Sequence, residues 1–198
     1  MAVDGFKLLA EAHAYLLEAV RGVPEGAWGA ATPCSEWTVR QVFHHARLDQ
    51  QALVMQITGD APEGDPFQPV DALEADGRDA AVQLEALLGA AMKAWESVRE
   101  AESVRTPMGP MPAHAGTAVA ALDAAVHAWD IARATGQDLP LDESMAARLE
   151  VPAGQIVDFV RDTFGKFGPT VDVPADACRA DKLLAFTGRD PRWTARVS

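Results

Sequence analysis

The chain has 198 residues, 48% of them hydrophobic, which is enough to bury one good core and short for two full domains. A formal net charge of −12, with no run of Lys and Arg to offset it, repels a polyanion, so nucleic acid is excluded as an expected partner. Two cysteines, Cys34 and Cys178, are too few for a disulfide framework although one bridge stays open, and no basic leader or run of roughly 18 apolar residues is present, so a cytoplasmic protein with no membrane partner is expected.

In chain order, Gly and Pro punctuate a series of helical patterns. The first, over about 4–21, sets Phe6, Leu9, Leu16, Leu17 and Val20 on one arc and stops at Gly22 and Pro24. A loop holding "TPCSEW" leads to a second helix, where Thr38 and Gln41 have the spacing of a capping box, running to about Thr58. The Pro-rich, acidic stretch 59–69 cannot continue that helix and reads as a mobile surface crossing with no part in any site. A third helix is expected over about 70–104, carrying Leu73, Leu84, Leu87, Leu88, Met92 and Trp95. A fourth is expected from Thr117, as N-cap, to a left-handed Gly136. The segment "LDESMAARLEVPAGQIVDFVRDTFGKFG" reads as further helix broken around Val151 and Pro152. The tail then holds a strand-like "TVDVP" and a short apolar turn, "DKLLAFTG". No alternating pattern is long enough for a sheet, so the fold class is all-α, a four-helix bundle with a C-terminal helical addition and a short irregular tail.

The fourth pattern, "ALDAAVHAWDIARATG", poses the functional question. At 100° per residue, Asp123, His127 and Asp130 fall within about 60° of one another, on the arc of Val119, Val126 and Ile131. An unpartnered carboxylate in such a place costs several kcal/mol, so something compensates it. Residues four apart on a helix are close enough for a carboxylate oxygen and an imidazole nitrogen to reach one ion, and a third ligand has to come from elsewhere. In "RQVFHHARLD", His44 and His45 are 100° apart, and only one can share an inward direction. His45 lines up with Val42 and Asp49 and is the better candidate. His13, in the Leu9–Leu16 stripe, is a candidate ligand or, more simply, a core histidine. The plainer alternative for Asp123 and His127 is a hydrogen bond between neighbours. Asp130 suits a further ligand or, more simply, a place beside a ligand or against an arginine, Arg133 a place beside a ligand or in the pocket, and Cys34 a thiol near the site or an ordinary small buried cysteine.

Three segments, "TPCSEWTVRQVFHH", "LDAAVHAWDIARATG" and "LLAFTGRDPRW", together resemble the actinobacterial family of DinB-like metal-binding proteins related to the N-terminal domain of mycothiol-dependent maleylpyruvate isomerase. The resemblance covers nearly the whole chain. It implies one DinB/YfiT-like domain over 1–198, with the bundle core at about 4–136 and C-terminal helices and tail at about 137–198. In that family the histidine eight residues after the loop tryptophan ligates the metal, which counted from Trp37 is His45 and not His44. An acid or histidine four residues before a histidine supplies the other ligands, matching Asp123 and His127. The isomerase has Glu at the first of these, so the shorter Asp123 is a departure. The implied cofactor is a divalent metal, zinc first and nickel second, with mycothiol or a similar thiol as cosubstrate. The implied partner is a small-molecule thiol or electrophile, and a homodimer stays open. The isomerase carries a further C-terminal domain, against which the stretch after Pro169 here is short. Two functions follow, a metal- and thiol-dependent transferase or isomerase, and a non-catalytic metal-binding module with a structural or sensing role. No general base stands out in the sequence.

Overall fold

The computed structural model describes residues 3–35, 37–68 and 77–195. Helix α1 (Gly5–Arg21) starts behind Asp4, whose carboxylate accepts from Lys7 N, and buries Phe6, Leu9, His13, Leu16 and Val20 along one face. Helix α2 (Val39–Thr58) begins with the full capping box, Thr38 accepting from Gln41 N while the Gln41 side chain accepts from Thr38 N. These two local signals set the ends and the inward face of both helices.

Helix α3 (Gly77–Ser97) is shorter than expected. Its expected start, and Leu73 with it, lie outside the described residues. At the other end the helix unwinds in turns at Val98 and Ala101, and Val104 belongs to a hairpin of β1 (Val104–Thr106) and β2 (Gly109–Met111), in antiparallel register Val104↔Met111. The helical reading failed there because β-branched Val104 and Thr106 lead into a tight turn, closed by Thr106 Oγ1 donating to Gly109 O at 2.8 Å with Gly109 at φ 105°.

Helix α4 (Ala113–Ala134) begins four residues before the expected cap, behind Pro112 and without a side-chain cap. Thr117 lies inside the helix, its hydroxyl donating to the carbonyls of Ala113 and His114. The expected left-handed terminus is present at Gly136, φ 69°. All residues of α4 except His114, Ala115, Asp123 and Arg133 are buried. Alanine is what allows this, since a narrow helix lets neighbours close in on every side. At the closest approach, a Cβ on Gly5 would stand 2.0 Å from the His114 carbonyl oxygen. The bundle closes as a ring in which α4 packs on α1 and α2, and α3 packs on the same two helices.

Helix α5 (Glu143–Phe164) packs on α4 and runs unbroken through Pro152, against the expected break. Proline removes one helical hydrogen bond, but Leu149, Pro152, Ala153 and Val157 are all buried on the same side, and that burial holds both halves in line. No strand forms at "TVDVP", and the first six residues of "DKLLAFTG" lie in helix α6 (Arg179–Phe186), whose free N–H groups at Arg179 and Ala180 donate to the Glu143 carboxylate. One cluster of buried residues extends from Phe6 to Leu184. Among the described residues no helix is long and apolar enough to cross a membrane.

Candidate metal centre

The contact of α2 with α4 brings together His45, Asp123 and His127, whose donor atoms all lie within 4.8 Å of one another. His45 and His127 are buried, at 7% and 5% exposure, while the Asp123 side chain keeps 18%. The two rings stand 4.7 Å apart at 87°. His44, a quarter turn round α2, is not in the cluster.

Each imidazole is held by its Nδ1. His45 Nδ1 donates to the Pro66 carbonyl at 2.7 Å, and His127 Nδ1 donates to Asp130 Oδ2 at 3.0 Å. With Nδ1 carrying the proton, Nε2 of each ring presents its lone pair to the interior, which is the tautomer a metal ligand needs. His127 Nε2 lies 3.6 Å from Asp123 Oδ1. The other Asp123 oxygen accepts from Gln50 Nε2 at 3.1 Å, and Gln50 Oε1 accepts from His13 Nε2 at 2.9 Å. His13 is thus placed behind Asp123, through Gln50, and not among the three donors.

Asp130 is wholly buried and shared, accepting from His127 and from Arg189 Nη2 at 3.0 Å. Burial alone would push its carboxyl up, but Arg189 and His127 hold it below the usual range. Its charge is therefore already matched. Asp123 and Asp49 are in the opposite state. Burial raises both, and Asp49, also facing Asp123, lies well above the ordinary carboxylate range and donates a hydrogen bond to it. Burial, then the neighbouring His127, drives His45 down to about 3. The ring therefore stays neutral through the neutral range, with its proton on Nδ1 and none on Nε2.

Two expected places need correction. Arg133 is exposed and donates to the carbonyls of Trp193 and Pro191, so it fixes the tail and does not line the pocket. The stretch 59–69, as far as Gln68, is part of the site. Pro66 selects the His45 tautomer, and the His45 ring has the Phe67 ring at 5.6 Å and the Trp37 ring at 4.5 Å. Its polar composition hid this, because the contact is made by a backbone carbonyl that any residue could supply. Pro69 lies outside the described residues. Cys34 is a free, half-buried thiol, pushed up to about 11 by burial and then by Asp130, and it is not one of the clustered donors.

Sequence reasoning missed Gln50, Pro66 and Arg189, and it left Asp49 as a mere alignment with His45. For Asp49 a signal existed, since His45 and Asp49 repeat in reverse order the four-residue spacing of Asp123 and His127.

The family model described as mycothiol maleylpyruvate isomerase N-terminal domain matches residues 9–132. Two curated proteins of Mycobacterium tuberculosis, from strains H37Rv and CDC 1551 and both described as uncharacterized, are each 30% identical over 183 residues, 92% of this chain and 94% of theirs. Among solved structures, the mycothiol-dependent maleylpyruvate isomerase superposes with a TM-score of 0.63 at 16% identity, over 95% of this chain and 89% of that one. A histidine-to-alanine mutant of that isomerase superposes with a TM-score of 0.54 at 16% identity, over 87% and 77%. These likenesses show the DinB-like fold. They also take in most of the isomerase chain, so the expected large C-terminal part without counterpart here does not appear in the comparison.

Proposed function

This chain belongs to the mycothiol maleylpyruvate isomerase N-terminal domain family, and from that premise we propose that it binds a divalent metal, zinc first and nickel second, and uses a low-molecular-weight thiol such as mycothiol to act on a small electrophile as a transferase or isomerase. The observation that carries the reading is the pair of buried imidazoles with Nδ1 occupied and Nε2 converging on Asp123. The donor set fits the group, since nitrogen and carboxylate oxygen at this number are what zinc-type sites recruit. When bound, the ion lowers the pKa of a coordinated thiol or water and polarises a carbonyl.

The chain's own residues do the rest. His45 and His127 present nitrogen lone pairs, and Asp123 supplies negative charge. Pro66 and Asp130 fix the two tautomers. Gln50 holds one Asp123 oxygen and leaves the other facing inward. Trp37 and Phe67 both contact the His45 ring, and His45 is buried. The reading takes residues 1–198 as one functional unit in the cytoplasm, in keeping with two free thiols. The second reading, a non-catalytic metal-binding module, is favoured by one observation, the approach of Asp49 to within 3.5 Å of His45 Nε2.

Calorimetric titration of the zinc-loaded protein with mycothiol separates the two. The enzyme reading expects saturable binding that disappears when the protein is stripped of metal. A zinc-loaded protein that takes up no thiol would leave the module.

A further inference from the structure

Each of the two helices at the site offers a histidine and a carboxylate one turn apart. On α4, Asp123 Oδ1 and His127 Nε2 are 3.6 Å apart; on α2, His45 Nε2 and Asp49 Oδ2 are 3.5 Å apart. Donors placed at about 2.0 to 2.2 Å round a tetrahedral ion stand about 3.3 to 3.6 Å from one another. Both pairs already have the length of a tetrahedron edge.

Asp49 stands outside the three donors that lie within 4.8 Å of one another, so its carboxylate has to turn from His45 toward the α4 pair to complete a set of four. The imidazoles of the two pairs are edge to face at 4.7 Å, and the Asp49 and Asp123 carboxyl groups are in hydrogen-bond contact. The widest span among His45, Asp123 and His127, 4.8 Å, would have to close by about 1.2 to 1.5 Å to reach the length of such an edge. Charge gives a second, independent argument. Once Asp49 gives up the proton it holds in the metal-free protein, two neutral imidazoles and two carboxylates sum to the charge that cancels a divalent cation. Of the nearby cations, Arg189 is paired with Asp130 and the Lys166 ammonium lies over the Phe67 ring at 4.3 Å, and each also acts at longer range on one of the acids, Arg189 on Asp123 and Lys166 on Asp49.

We propose that Asp49 is a fourth protein ligand, so that the resting site is closed by His45, Asp49, Asp123 and His127 and opens only when the Asp49 carboxylate swings aside. This rests on the metal reading above. It adds that α2 contributes two ligands where sequence reasoning assigned it one.

Cobalt(II), a spectroscopic stand-in for zinc, tests it on the full-length protein without an affinity tag. Asp49→Ala should bind cobalt at least about tenfold more weakly and change its visible absorption, because water replaces a carboxylate oxygen. N-acetylcysteine should then alter that absorption at lower concentration than in the parent protein. Folding is controlled by the metal-free melt, which Asp49→Ala should lower only by the loss of the one hydrogen bond that Asp49 donates to Asp123, leaving a cooperative transition. An Asp49→Ala protein with the parent's cobalt affinity and spectrum overturns the proposal while leaving the metal reading intact, provided His45→Ala and His127→Ala lose the cobalt. A parent protein that takes up neither cobalt nor zinc overturns both.

Discussion

Helices α4 and α5 have the same length, 22 residues, and opposite relations to their surroundings. In α4 nearly every face is covered, and a polar side chain has no wet side to turn to. Four such side chains have found partners inside, Thr117 on backbone carbonyls, Asp123 on Gln50, His127 on Asp130, and Asp130 on Arg189. In α5 only one face is covered. Val151, Phe159 and Phe164 stand half-exposed on the outside, and even Pro152 is accommodated. Position therefore decides how much a residue tells. The same aspartate is informative in a helix with no outside and nearly silent in one that has it.

The contrast can be broken by substitution. Asp130→Ala should have the largest effect, about 3 to 5 kcal/mol in denaturant unfolding of the metal-free protein, because Arg189, 5% exposed, is left as a buried charge without its carboxylate. A loss below about 1 kcal/mol would mean that α4 tolerates an unmatched charge after all. Next comes a pair within α5. Leu149→Ala, on the covered face, should cost about 2 to 5 kcal/mol, whereas Val151→Ser, two residues on and 50% exposed, should change stability by no more than about 0.5 kcal/mol. Equal costs at the two positions would remove the one-sidedness on which the comparison depends.

The same distinction explains what was legible in the sequence. The α1 stripe, the Thr38–Gln41 box and the Asp123–His127 pair are local patterns, set by residues within one or two turns, and the structure contains all three. The phase of α2 placed His45 and not His44 on the inward side. What could not be read was long-range. Arg189 reaches Asp130 across 59 residues, and Pro66 reaches His45 across 21 with a carbonyl that carries no signature of residue type. Where a local rule failed, packing had outweighed it. Pro152 stays in helix because its neighbours are buried, and Thr117 lies inside α4 because Ala113 and Gly116 are needed against the bundle.

The central claim is that α4 carries Asp123 and His127 inside because, with His45, they hold a metal. The most direct measurement is the metal content, by elemental analysis, of untagged parent protein beside His44→Ala, His45→Ala and His127→Ala, each loaded with zinc and dialysed. Near one zinc per chain is expected in the parent and in His44→Ala, with most of it lost from the other two, since two ligands rarely hold a divalent ion against water. If the parent holds none, or if the adjacent substitutions His44→Ala and His45→Ala leave the same amount, the cluster is an ordinary buried hydrogen-bond network and the account is wrong.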